Sequence, residues 1–480
     1  MLFLHQITPI YSALKNYVEE NNLRLHMPGH IGGQGISAEE LKAIALFDQS
    51  EVPGLDDLHL PLDVIKKSRK LLAEAYGAGE SFFLINGATS GIHSLFLSMN
   101  QGSKILIPRN AHRSFFGGMV LSAAVPVYMP CQFEPELGIA LSVKSEDIAD
   151  LLFLHPDVQA AFITSPSYYG TTCDIKSLSR LSRAAGKILC VDEAHGGHFP
   201  FHESYPKPAL KAGADAAVNG LHKTMPVLNQ GACLHLSSDF PHKERVSASW
   251  SLLSTSSPSY PILASIDLAR DLMKRKGRSL LDTALGFSLE YKGKIGKIKG
   301  LRVFDDELKK VFGVHELDPL KILVSVKDLK IDGYELSWLL RHRYQIQVEI
   351  EEQHYIMAMM SIFHQKSDWE RFYQALKDIA ASYISGQKLL SYLETPPEPQ
   401  VILNPREAFF AARKEIRLDL AAGEVSAEMV AAYPPGIPCL LPGELITKEV
   451  LAYLEYLRKS GSHIQGADDP ELKSIKVINQ

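Results

Sequence analysis

Two residues of the chain, Asp192 and Lys223, could do chemistry together. Asp192 opens Asp192-Glu-Ala-His195 and Lys223 closes Asn219-Gly-Leu-His-Lys223. Each follows a short apolar run, residues 188–191 and 216–219, that reads as a buried strand. A lysine at a strand end can condense with an aldehyde once its amine is partly neutral, and an apolar or cationic neighbourhood supplies that condition. A carboxylate at the preceding strand end can keep the nitrogen of a flat ring protonated, which makes the ring an electron sink. Each residue also has a plainer use. Asp192 can cap the next helix, and Lys223 is one of 50 lysines and arginines. What gives the two their value is relative position.

Three further stretches belong to the same pattern. Asn86-Gly-Ala-Thr-Ser-Gly91 lies between an apolar run and a helical one. Its small residues let backbone N–H groups approach an anion, Thr89 and Ser90 add hydroxyls, and the helix start adds its dipole. That describes a phosphate cradle, and equally a plain N-cap. Pro108-Arg-Asn-Ala-His-Arg-Ser114 puts His112 at another strand end, where it can stack on a flat ring or cap a helix. Ser165-Pro-Ser-Tyr-Tyr-Gly170, followed by Asp174, can line the same crevice or simply turn.

The elements that must position these residues alternate. Strands are expected at 82–85, 104–107, 125–128, 160–164, 188–191, 216–219 and 232–236. Helices are expected at 89–99, 113–123, 145–154 and 176–185. Such alternation implies an α/β fold with a mainly parallel sheet, which binds ligands at the carboxyl ends of its strands. A long helical region runs over 258–299. A smaller α+β region follows, with strands at 322–326, 347–349 and 355–359 and helices at 333–343 and 366–382. Thr395-Pro-Pro-Glu-Pro-Gln400 reads as a linker into a last segment holding Tyr433-Pro-Pro-Gly-Ile-Pro438 and Pro442-Gly-Glu444.

Composition narrows the classes. A chain of 480 residues favours two or three domains. With 46% hydrophobic and 22% charged residues it is an ordinary globular sequence. The net charge of -5 argues against a nucleic-acid partner and mildly favours a cationic substrate. The five cysteines are an odd, widely spaced set without a Cys-x-x-Cys, so neither a disulfide framework nor a metal site is expected. No stretch reaches the roughly 18 apolar residues of a membrane span, and the first residues carry no signal-peptide pattern, so a cytoplasmic location without membrane contact is expected.

A phosphate cradle, a ring-stacking histidine, a ring-nitrogen aspartate and a lysine, in that order on one sheet, resemble fold-type I enzymes dependent on pyridoxal 5'-phosphate (PLP). Further motifs narrow the resemblance. They are His26-Met-Pro-Gly-His30 with Gly32 and Gly33, Leu55-Asp-Asp-Leu-His-Leu-Pro61, Arg109-Asn-Ala-His112, Asp192-Glu-Ala-His195, His222-Lys223, Thr255-Ser-Ser-Pro-Ser-Tyr260 and the two proline-rich motifs of the tail. Together they resemble the bacterial ornithine/lysine/arginine decarboxylases, in the short form without an N-terminal wing domain. Asp-Glu-Ala-His also occurs in helicases, but the chain has no P-loop Gly-x-x-x-x-Gly-Lys-Ser/Thr.

The resemblance implies a division into an N-terminal segment (1–61), a PLP-binding large domain (62–299), a small α+β domain (300–394) and a C-terminal domain of the decarboxylase type (395–480). It implies that Lys223 forms a Schiff base with PLP, that Asp192 pairs with the pyridine nitrogen, and that His112 stacks on the ring while Ala194 packs beneath it. Thr89 and Ser90 would hold the phosphate, with His195 and His222 near the reacting centre. It further implies a homodimer with its site at the subunit interface, to which residues 255–260 of one subunit contribute for the other. A basic amino acid would lose CO2 to give a diamine, or agmatine from arginine, a polyamine precursor. Glu444 is the candidate partner of the substrate's distal cation, or else a first-turn glutamate of the helix expected at 447–458. Two departures stand out: Gly220 occupies a position where the family usually has a serine contacting phosphate, and the phosphate loop reads Gly-Ala-Thr-Ser where Gly-Thr-Ser is commoner. The alternatives are another PLP reaction, such as an aminotransferase, or a catalytically weak binding or regulatory protein.

Overall fold

The computed structural model describes residues 7–134, 136–384, 397, 399–432, 437–460 and 463–479. Part of the expected 395–400 linker and Tyr433 to Gly436 of the tail motif lie outside the described residues. The chain divides into two compact units, one drawn from Met1–Ser98 and Cys190–Asp282, the other from Met99–Leu189 and Thr283–Gln480.

The first unit carries the strands Glu80–Leu84, Ile188–Asp192, Ala216–Asn219 and Ala232–Leu236. Ile188–Asp192 pairs parallel with Ala216–Asn219, and Ala232–Leu236 runs antiparallel between the latter and Glu80–Leu84. Nearly every residue of these strands is buried, which is why they read as continuous apolar runs rather than alternating ones. Helix Val64–Tyr76 ends at Gly77 in the left-handed conformation, an ordinary helix stop. Asp267, buried on helix Tyr260–Ile295, receives the backbone N–H groups of Ile10 and Tyr11 and so ties down the helix Pro9–Glu19.

The second unit holds the parallel strands Val158–Thr164, Lys104–Pro108 and Val125–Met129, with helices Ser114–Ser122, Ser145–Leu154 and Ile175–Ala184. It also holds an antiparallel sheet of Arg302–Phe304, Lys321–Ser325, Tyr355–Met359 and Ile350–Glu352. Helices Gly333–Tyr344 and Lys366–Tyr383 bury Leu336, Leu340, Trp369 and Phe372 in one core with Ile322, Val324 and Ile356 from that sheet. A last core, around Leu440, Val450, Leu454 and Val477, joins helix Lys448–Ser460 to the short C-terminal strands.

The α/β class and the mainly parallel sheet are as expected, and most boundaries fall within two residues. One strand is displaced. It runs over Ile350–Glu352 where 347–349 is expected, because its ladder with Tyr355–Met359 starts only at the pairing of Ile350 with Met357.

Candidate active site

In the first unit the Asp-Glu-Ala-His-Gly-Gly stretch leaves its strand and folds against the Lys223 turn. Asp192 is the last residue of its strand and is buried, and its Oδ1 accepts the Ala194 N–H at 3.1 Å. Burial pushes its pKa up, and the positive charge of Lys223 opposes that rise. The Ala194 carbonyl accepts the Gly220 N–H at 3.2 Å, so one turn rests directly on the other. Gly220 has φ -83° and ψ 81°, angles open to any residue. Its lack of a side chain serves close approach instead: a Cβ there would stand 3.0 Å from the Ala194 oxygen and 3.3 Å from Lys223 Cδ. Lys223 ends a short 3-10 turn, Leu221–Lys223, and its Nζ lies 3.1 Å from His195 Nε2. The expected lysine, aspartate and histidine therefore meet at two neighbouring strand ends.

The expected phosphate cradle belongs to the same unit. Helix Gly87–Ser98 begins at Gly87, whose N–H donates to the Gln230 carbonyl at 2.9 Å. The next residue, Gly231, accepts at its carbonyl both the His222 N–H, at 3.1 Å, and His222 Nδ1, at 3.0 Å. The Gln230–Gly231 pair thus anchors the helix start and the His222–Lys223 turn together. Ser90 Oγ donates to the Gly87 carbonyl, which commits that hydroxyl to the first helical turn. His222 carries its ring proton on Nδ1, facing a carbonyl, and burial lowers its pKa, so Nε2 is an acceptor.

The second unit holds the other two expected residues. His112 is exposed just before helix Ser114–Ser122, and its Nδ1 accepts the Ser114 N–H at 3.2 Å, which fixes the ring at the helix start. Glu444, only 1% exposed, is held by Arg109 through both carboxylate oxygens, the Nη2–Oε2 contact being 2.8 Å. Its Oε2 also accepts the Leu441 N–H at 2.7 Å. Arg109 donates further to the Cys439 carbonyl at 3.1 Å and lies 4.9 Å from the Tyr128 ring centre. A substrate cation reaching Glu444 would have to displace this guanidinium. As it stands the carboxylate is part of a closed buried pair, and it lies before helix Lys448–Ser460 rather than in its first turn.

Two models of known families match the chain: "Orn/Lys/Arg decarboxylase, major domain" over residues 8–368, and "Orn/Lys/Arg decarboxylase, C-terminal domain" over residues 389–475. The chain belongs to the Orn/Lys/Arg decarboxylase family. Arginine decarboxylase of Bacillus subtilis (strain 168) is 34% identical to it over 480 residues, covering 98% of each chain. The constitutive lysine decarboxylase of Escherichia coli (strain K12) is 23% identical, covering 97% of this chain and 79% of that one. The solved structure of lysine decarboxylase A from Pseudomonas aeruginosa shares the fold, with a TM-score of 0.83 at 20% identity, covering 100% of this chain and 81% of the other. The activity of this Orn/Lys/Arg decarboxylase chain is therefore decarboxylation of a basic amino acid, which sets aside the aminotransferase and non-catalytic alternatives. Among the described residues no helix is long and apolar enough to cross a membrane.

Sequence reasoning missed Arg109 as the partner of Glu444, although Arg109 stood inside a quoted motif; nothing local joins two residues 335 positions apart. Nothing local signals the contact between Glu193 and Asn219 either.

Proposed function

We propose that the chain binds PLP through Lys223 and uses it to decarboxylate a basic amino acid, arginine first among the three. The observation that carries this reading is the meeting of Lys223, His195 and Asp192 at neighbouring strand ends, anchored to a helix start. The residues present fit the cofactor on two counts. A buried carboxylate such as Asp192 calls for a hydrogen-bonded cation, and a protonated pyridine nitrogen is one. The first turn of helix Gly87–Ser98 has backbone N–H groups without intrahelical partners, and Thr89 adds a hydroxyl; both suit a phosphate, while Ser90 Oγ would have to leave the Gly87 carbonyl to donate to it.

PLP bound there supplies an electron sink for the pair released when the substrate carboxylate leaves as CO2. Asp192 holds a proton at the ring nitrogen. Lys223 passes its own proton to His195 Nε2, 3.1 Å away, and becomes a nucleophilic amine. Freed from the cofactor, Lys223 would take a proton back from His195 Nε2 and deliver it to the substrate Cα. His222 suits this step less, because its only hydrogen points to the Gly231 carbonyl. His112 and Ala194 are assigned to the ring by the family resemblance.

Arginine leads because relatives 32–34% identical over 98% of this chain are named arginine decarboxylases. A homodimer is part of the proposal. Leu23, Leu25, Met27, Leu60 and Leu62, in or beside two of the family motifs, are 65–87% exposed, which is costly for a surface that nothing covers. The test is incubation of PLP-loaded protein with arginine, lysine and ornithine separately, measuring CO2 and amine. Agmatine from arginine is the expected product. Release of a keto acid without CO2 would defeat the proposal.

A further inference from the structure

Glu193, between Asp192 and Ala194, has no part in the reaction as described, yet it is the most heavily tied residue of its turn. It is 3% exposed. Its Oε1 accepts the Ala209 N–H at 2.7 Å, and its Oε2 accepts Asn219 Nδ2 at 3.0 Å. Its carbonyl accepts the same Nδ2 at 3.1 Å, and its N–H donates to the Val218 carbonyl at 2.9 Å. Asn219, fully buried, is the last residue of its strand and directly precedes the Gly220–Lys223 turn. Its amide donates only to Glu193, and its Oδ1 has no hydrogen-bond partner among the described residues. Glu193 alone therefore orients it. One carboxyl–amide contact thus ties the strand end that carries Asp192 to the strand end that leads into Lys223.

The motif is built around this side chain. A Cβ at Gly196 would stand 2.6 Å from Glu193 Cγ, so only glycine lets the following turn cross the Glu193 stem. The titratable groups that face Glu193 are Asp192, whose charge pushes the Glu193 pKa up, and Tyr76 and Cys233, which burial above all keeps protonated. Lys223, the nearby cation, is opposed by Asp192. Burial above all pushes the Glu193 pKa up, while the Asn219 amide and the Ala209 N–H, both donors to its oxygens, oppose that rise.

We infer that Glu193 is a positioning residue which, acting through Asn219, holds the Lys223 turn in register with Asp192. The inference rests on the proposal that Lys223 carries PLP. A purely structural carboxyl would affect stability alone. This one should also affect the spectrum of the bound cofactor.

The experiment uses full-length, PLP-loaded protein without substrate, and compares the wild type with Glu193→Gln, Glu193→Ala, Asn219→Ala and the double alanine variant. The readouts are the visible absorbance of the lysine-bound cofactor against pH, and the PLP affinity of apo-protein. Glu193→Ala and Asn219→Ala should each move the pH midpoint of that absorbance in the same direction, and Glu193→Gln, whose amide sets a donor against the Asn219 Nδ2 or the Ala209 N–H, should move it as well. Each alanine variant should weaken PLP binding by about tenfold, or roughly 1.4 kcal/mol. The double variant should be no worse than either single one, because both remove the same contact. If the alanine variants do not fold, the glutamine variant decides the matter through its spectrum. An unchanged midpoint in every folded variant overturns the inference while leaving the cofactor proposal intact. A wild type without a visible band, or a band that survives Lys223→Ala, overturns the cofactor proposal and this inference with it.

Discussion

Glu444 and Asp192 are both carboxylates removed from water, each beside a basic side chain, and the two units complete them differently. Glu444 receives both arms of the Arg109 guanidinium and a backbone N–H, while Arg109 spends its remaining capacity on a carbonyl and an aromatic face. Such a pair offsets much of its desolvation internally, through paired hydrogen bonds of matched geometry, although burial still pushes the Glu444 pKa up. Asp192 accepts one backbone N–H and feels Lys223 as a charge, while the Lys223 amine hydrogen-bonds His195. Burial raises the Asp192 pKa too, with fewer hydrogen bonds set against it. A closed pair is finished as a piece of structure, whereas a thinly compensated one awaits a further cation. The contrast explains why the same ingredients read as scaffold in one unit and as chemistry in the other.

Substitutions can break this comparison. The largest effect is expected for Lys223→Ala, which removes the nucleophile. Turnover should fall by about a thousandfold or more, on the order of 4 kcal/mol of barrier, and the visible absorbance of PLP-loaded protein should vanish. Borohydride reduction followed by peptide mapping checks the residue directly. A tag on another lysine would show the assignment to be wrong. Glu444→Gln should act on the fold instead. Leaving Arg109 buried without its counter-charge should lower unfolding stability by about 3 kcal/mol, as seen in denaturant titration. A raised KM for arginine with unchanged stability would reverse the comparison and make Glu444 the substrate's partner after all. Asp192→Asn is smaller and of the opposite kind. It is isosteric and removes a charge that burial disfavours, so stability should hold or rise. Decarboxylation should nonetheless fall more than tenfold, or more than about 1.4 kcal/mol. Near-normal turnover would remove Asp192 from the ring nitrogen.

The difference between the two pairs also marks what could be read from the sequence. Strand ends are locally encoded: runs such as Ile188–Asp192 and Ala216–Asn219 announce a buried parallel strand, and a polar residue at the end of one announces a site. That is why Asp192 and Lys223 stand out as candidates in the sequence, whereas His195 comes only with the family resemblance. The Arg109–Glu444 pair depends on chain segments 335 residues apart, so only the folded structure discloses that Glu444 is already matched. The strand Ile350–Glu352 was displaced for a related reason, because its register is set by the partner strand and not by its own residues. Glu193 lay inside a quoted motif, yet its importance depends on Asn219, and nothing local to either residue states that their strands are neighbours.

The smallest effect, and the sharpest test of how open the Lys223 turn is, concerns Gly220. A serine hydroxyl here would give the cofactor phosphate a donor, and hydrogen bonds to charged groups contribute roughly 1.5–3 kcal/mol. Backbone angles do not stand in the way, because φ at Gly220 is -83°. Space does: the new Cβ would stand 3.0 Å from the Ala194 carbonyl, which accepts the Gly220 N–H at 3.2 Å and so must yield or weaken that bond. Ala194 follows directly on the Asp192–Glu193 pair, so the strain falls on the turn that aims Asp192. The hydroxyl and the methylene therefore act in opposite directions, and two substitutions separate them. Gly220→Ala adds only the methylene and should weaken PLP binding by about threefold, or roughly 0.7 kcal/mol. Gly220→Ser adds both, and should bind PLP about tenfold more tightly than Gly220→Ala, leaving it only about threefold tighter than the wild type. Absorbance titration of the apo-proteins with PLP measures all three. Equal affinities for the serine and alanine variants would mean that no hydroxyl at this position reaches the phosphate. The helix start at Gly87 and the Thr89 hydroxyl would then hold it alone.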